Sequence, residues 1–136
     1  MRRVPAVFAL ALLAGCGGTG TLDQKTFQKE AESIQSVAAE GALLARDVAD
    51  GKSTVPFTRV HAGELHEQAA KLEETLSTAT AQPALEDEVA EAVELAGDVV
   101  ASLDQLERSP GDAELARGAQ GKLETAARQA EDLAGA

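Results

Sequence analysis

The run Leu85-Glu86-Asp87-Glu88-Val89-Ala90-Glu91-Ala92-Val93-Glu94-Leu95-Ala96-Gly97-Asp98-Val99-Val100-Ala101-Ser102-Leu103-Asp104-Gln105-Leu106 decides the fold. Its apolar residues Leu85, Val89, Ala92, Ala96, Val99, Leu103 and Leu106 recur in alternating steps of four and three. That stagger averages about 3.5 residues and lays one narrow apolar stripe along a helix. A half-buried strand would alternate with period two instead. Glu86, Asp87 and Glu88 put negative charge on the first turn, where the helix dipole favours it.

Three more segments carry the same stagger. Upstream lie Phe27, Ala31, Ile34, Ala38, Gly41, Ala45 and Val48, then Ala62, Leu65, Ala69, Leu72, Leu76 and Ala79. Downstream are Ala116, Ala119, Leu123, Ala126, Ala130 and Leu133. The breaks between them hold stop and start signals: Gly51 to Thr54 with Pro56, Gln82-Pro83, and Ser109-Pro110-Gly111-Asp112. Asp112 is placed to cap the last helix. At the front, Thr21 and Gln24 are spaced as a capping box, with Asp23 the alternative cap.

The pattern predicts helices over about 22–50, 56–81, 84–109 and 112–134. Short breaks between long amphipathic helices make sequence neighbours antiparallel. The expected fold is therefore all-α, an antiparallel up-down-up-down four-helix bundle over 22–136. The competing arrangement is an open pair of hairpins that closes on dimerisation. Gly118 and Gly121 make the last helix the weakest, since each costs about 1 kcal/mol relative to Ala.

Ahead of the bundle, Arg2 and Arg3 precede the apolar run Val4–Leu13, and Leu13-Ala14-Gly15-Cys16 follows. A basic start, a short apolar stretch and small residues at a cleavage site describe a secretory signal peptide. The apolar run is about half the roughly 20 residues that a spanning helix needs. Leu13-Ala14-Gly15-Cys16 resembles the lipobox of bacterial lipoproteins, an aliphatic residue, two small residues and a cysteine. The resemblance implies that residues 1–15 are removed as a signal peptide and that Cys16 receives a diacylglycerol on its sulfur. Residues 16–21 then form a lipidated cysteine and a short tether. Cys16 is the only cysteine, so it has no disulfide partner within the chain. Gly17 lacks the acidic character that, in some two-membrane bacteria, retains such proteins at the inner membrane.

Composition narrows the function. The net charge of −11, more negative still once Arg2 and Arg3 are removed, argues against nucleic acid, where a basic face supplies most of the affinity. It also argues against electrostatic docking on an anionic bilayer, so the lipid on Cys16 must hold the protein at the membrane. Aromatic residues are limited to Phe8, Phe27 and Phe57, and a core built from Ala, Leu and Val is thin.

No constellation of residues points to catalysis or to a cofactor. His61 and His66 are five apart, which sets them about 140° from one another on a helix, flanking Leu65 on opposite sides. Two histidines that share a metal from one helix want a spacing of four, as in His-Glu-x-x-His. Glu64 lies between them, but no Glu-x-x-His pair of the di-iron type exists. Gly51-Lys52-Ser53 looks like the tail of a phosphate-binding loop, yet Arg46 stands where that loop needs glycine, and a helix precedes it instead of a strand. Gly51 reads as a helix C-terminal glycine. Scattered serines and acids form no nucleophile elbow or carboxylate pair.

The expected role is non-enzymatic, with no metal or cofactor: a lipid-anchored helical bundle of the bacterial cell envelope acting as a protein-interaction or structural module. Its partners are the membrane, through Cys16, and an envelope protein. A small-ligand or metal carrier using the bundle interior and a homo-oligomeric scaffold are the alternatives. Arg46, Lys52, Arg59, Arg108 and Arg117, mixed with Asp47, Asp50 and Glu107, fall in the half remote from the tether. That end is either a contact surface or a solvated mixed-charge end.

Overall fold

The computed structural model describes residues 20–136. The expected signal peptide and Cys16 lie outside the described residues. Four long helices account for most of the rest: α1 over Gln24–Ala49, α2 over Val55–Thr78, α3 over Glu86–Arg108 and α4 over Ala113–Gly135. A single 3-10 turn, Pro83–Leu85, leads into α3. Among the described residues the chain is all-helical, without strands, and the helices pack as a bundle.

Local chemistry sets each boundary. Asp23, the alternative cap, is the one used: its carboxylate accepts the Thr26 N–H at 2.8 Å. Thr21 and Gln24 form no capping box, and α1 starts two residues later than expected. Thr54 caps α2 through the Phe57 N–H, with Pro56 in the first turn, where a missing N–H costs nothing. Asp112 caps α4, accepting from the N–H groups of Glu114 and Leu115. Gly51 ends α1 with φ of +69°, a conformation that glycine adopts without a Cβ penalty.

The largest departure from the sequence reading is the end of α2, which stops at Thr78 and not near 81. The backbone of Leu22 accounts for it. Its N–H donates to the Thr80 carbonyl at 2.7 Å, and its carbonyl accepts from the Gln82 N–H at 3.2 Å. Thr80 to Gln82 thus satisfies its backbone against the entering chain rather than by extending the helix.

Packing follows the stripes. Every predicted stripe position of α1, α3 and α4 is buried. In α2, Ala62, Leu65, Ala69 and Leu76 are buried, but Leu72 and Ala79 are only partly so. Val37, Ala42 and Leu44 widen the stripe of α1, and Leu95 that of α3. α1 lies most extensively against α4, and α2 against α3; α1 meets α2, and α3 meets α4, more loosely.

Small residues explain the two tight pairings. α1 offers Ala31, Ala38, Gly41 and Ala45, and α4 offers Ala116, Ala119, Ala126 and Ala130, all buried. A methyl group on Gly41 would sit 2.9 Å from Leu103 Cδ2 and 3.2 Å from Leu123 Cδ1. Between α2 and α3 the device is different. The Glu107 side chain lies over Gly63, and the Glu73 side chain over Gly97. Each helix thus receives the other's glutamate in a notch that a larger residue would fill. Buried polar atoms are satisfied: Thr58 bonds Ser53 at 2.7 Å, Ser102 bonds the Asp98 carbonyl, and no described buried side chain lacks a partner.

The glycines divide sharply. Gly41→Ala should destabilise by about 1–3 kcal/mol through overpacking. A methyl group on Gly118 or Gly121 would meet no neighbour within 4 Å, so Gly118→Ala and Gly121→Ala should each stabilise by about 1 kcal/mol. Urea unfolding measures both, and a stabilising Gly41→Ala would contradict the close approach. Asp23 supplies a pH test. The Thr26 hydrogen bonds, aided by Lys25 and Lys29, hold its carboxyl below the usual carboxylate range. Its contribution is full above that range and is lost as pH falls through the depressed value. Asp23→Ala should melt lower at neutral pH and show a shallower loss of Tm on acidification; an unchanged pH profile would show that the cap carries no linkage.

Candidate functional site

The outer surface beside the 50–54 turn carries the one cluster of exposed large apolar side chains among the described residues. Ser53 and Thr58 fix the start of α2 through their hydroxyl contact, with Thr58 fully buried. That rotation turns Phe57 and Val60 outward, 58% and 63% exposed. On α1, Leu43 is 51% exposed. The contact between Glu40 and His61 fixes the level of the two helices. Leu43 and Phe57 each lie about one helical turn from that contact toward the 50–54 turn, so they share a level on the outer face. Val60 follows Phe57 at the i+3 spacing that makes helical neighbours. Val55, 44% exposed, stands at the helix start, where the Gly111 turn approaches it.

Polar contacts steady this patch from one side. The His61 ring stacks on Phe57 with centroids 5.5 Å apart and planes at 24°. Its Nε2 is 3.0 Å from Glu40 Oε1, and its Nδ1 is 3.7 Å from Glu64 Oε2. The aromatic side chain is thereby restrained before any partner arrives, which lowers the entropy cost of binding.

The two histidines diverge as their spacing implies. His61 turns to α1, whereas His66 Nδ1 lies 3.5 Å from Glu107 Oε2 on α3. Glu40 and Glu64 sit at opposite nitrogens of the His61 ring, an arrangement that does not converge on one ion. Among the described residues no group of three or more metal-ligating side chains comes together.

The five distal cations do not gather into one site. Arg46 borders a groove between α1 and α4, and Arg117 a groove between α3 and α4. Arg108 is engaged by Asp104 on its own helix, Nε to Oδ1 at 3.0 Å. Lys52 stands in the turn after Gly51, exposed. Two larger troughs, of about 700 and 740 Å³, run where the helices pack loosely. One lies between α1 and α2 around Ser33, Ser36, Val37 and Leu72; the other lies between α3 and α4 over Gly118 and Gly121. Both are lined by surface side chains rather than set in the bundle interior.

Periodicity does not expose the apolar patch, because it records only what is buried. A usable signal is present in the sequence nonetheless. Phe57 and Val60 are out of phase with the Ala62, Leu65 and Ala69 stripe, and an aromatic residue out of phase in so aromatic-poor a chain has no core to serve. Comparison with protein-family models, curated proteins and solved structures finds no match for this chain. No helix among the described residues is long and apolar enough to cross a membrane.

Because the patch lies outside the core, Phe57→Ser with Val60→Ser should change stability by no more than about 0.5 kcal/mol per site. Leu65→Ala, in the core, should cost about 2–5 kcal/mol. Denaturant melts of the wild type and the two variants measure the contrast; a loss of several kcal/mol in the double variant would make the patch a structural element.

Proposed function

We propose that this chain is a lipid-anchored helical-bundle protein of the bacterial cell envelope that acts by binding another protein through Leu43, Phe57 and Val60. The observation that carries the reading is the exposed apolar cluster, held in place by His61 at the far end of the bundle from the entering chain. Large exposed apolar side chains grouped on one surface are what contact sites present, whereas single scattered ones are ordinary. The activity in this reading is contact and not catalysis.

The topology that goes with it is up-down-up-down. Contacts between paired helices support opposite directions: Gly63 meets Glu107 while Gly97 meets Glu73, and Gln24 reaches the carbonyl of Ala136. The entering chain then shares one end with the 79–82 segment and the C-terminus. Leu43 stands about 28 Å up α1 from its start. With Cys16 lipidated, that geometry presents the patch away from the membrane, where a second envelope protein can reach it. Two acyl chains suffice for stable anchoring.

Two measurements test the reading. Cys16→Ser should abolish incorporation of labelled palmitate and leave an uncleaved precursor; normal maturation of that variant would remove the lipoprotein assignment. For the contact site, a photocrosslinking amino acid at position 43 should trap a reproducible, identified protein in intact cells, whereas one at position 129 should not. Equal trapping at both positions, or at neither, would overturn the assignment of the patch.

A further inference from the structure

The charges around the patch specify its partner, an inference that rests on the contact reading above. On α1, Leu43 is bracketed at helical-neighbour spacing by Glu40 before it and Asp47 after it. On α2, Glu64 and Glu67 follow Val60 along the same face. Asp50 continues the acidic border toward the turn. The cations nearest the patch, Arg46 and Arg59, sit at its outer margins: Arg46 borders the groove toward α4, and Arg59 is turned from Val60 by the helical rotation. The apolar centre is therefore flanked by carboxylates both above and below.

From this we infer that the patch receives a protein segment carrying aliphatic side chains between lysine or arginine residues, in the manner of a basic amphipathic helix. Apolar side chains of the segment cover Leu43, Phe57 and Val60. Its cations meet Glu40, Glu64 and Glu67 on one border and Asp47 and Asp50 on the other. Electrostatic complementarity of this kind steers encounter and fixes register, and it discriminates against two competing occupants. A second copy of the chain in a two-fold contact would bring one acidic border against another. An anionic bilayer would be repelled by the same carboxylates.

The test uses the full, lipidated protein in nanodiscs of neutral phosphatidylcholine, titrated into two fluorescein-labelled peptides. One is an amphipathic leucine–lysine helix and the other its leucine–glutamate counterpart; binding is read by anisotropy, with empty nanodiscs as the blank. The lysine peptide should bind at least about tenfold more tightly than the glutamate peptide. Phe57→Ser with Val60→Ser, which leaves every charge in place, should weaken it about tenfold or more, as loss of a central anchor does. Glu64→Gln with Glu67→Gln should weaken it severalfold and flatten its dependence on salt.

Equal affinity for the two peptides, or lysine-peptide binding unaffected by the serine pair, would overturn the inference. So would a concentration-dependent dimer that the serine pair dissolves, since the occupant would then be a second copy. If the lysine peptide fails to bind while position 43 still traps an identified protein in cells, the partner chemistry falls and the contact reading stands. If position 43 traps nothing, both fall.

Discussion

Close approach of helix backbones is the constraint on which this structure depends. A core with one buried phenylalanine, Phe27, and no larger ring has little apolar area per residue to offer. Stability must then come from many short-range contacts along the full helix lengths, and dispersion weakens steeply with separation. Alanines and Gly41 between α1 and α4 allow that proximity, and the Leu103 and Leu123 side chains fill the space at Gly41. The same economy leaves no bulky residue to close the sides, so the loosely packed α1–α2 and α3–α4 seams open into troughs.

That arrangement separates stability from recognition. Nearly all the large apolar side chains in the described residues are committed to the core, and the few that are not gather at one end. His61 links the two roles. It bridges α1 and α2 through Glu40 while its ring supports Phe57. A single residue thus ties the bundle seam to the surface that faces outward.

Much of the fold is legible in the sequence because burial and periodicity are the same information in a helix. The stripes of α1, α3 and α4 can be read residue by residue, as can the Asp112 cap and the Gly51 turn. What escapes is set by contacts between distant segments. Nothing local marks Ala79 as extended; Leu22, far away in sequence, takes its neighbours' backbone groups. Leu72 keeps the helical phase but faces the α1–α2 trough, because the pairing of helices, and not the phase alone, decides which flank of a stripe is covered. The contact patch is hidden for the complementary reason: its three residues lie on two helices and only the Glu40–His61 contact reveals that they share a level.

The central claim is that this surface is covered by another protein in the cell, and solvent accessibility tests it directly. With Cys16 acylated, a cysteine introduced at position 43, 60, 99 or 129 is the only free thiol. In purified protein, alkylation should be fast at 43, 60 and 129 and slow at 99, which is buried in the core. In intact cells the account predicts protection at 43 and 60 while 129 stays reactive. Equal reactivity at 43, 60 and 129 in cells would contradict it, and the exposed apolar cluster would then have no occupant.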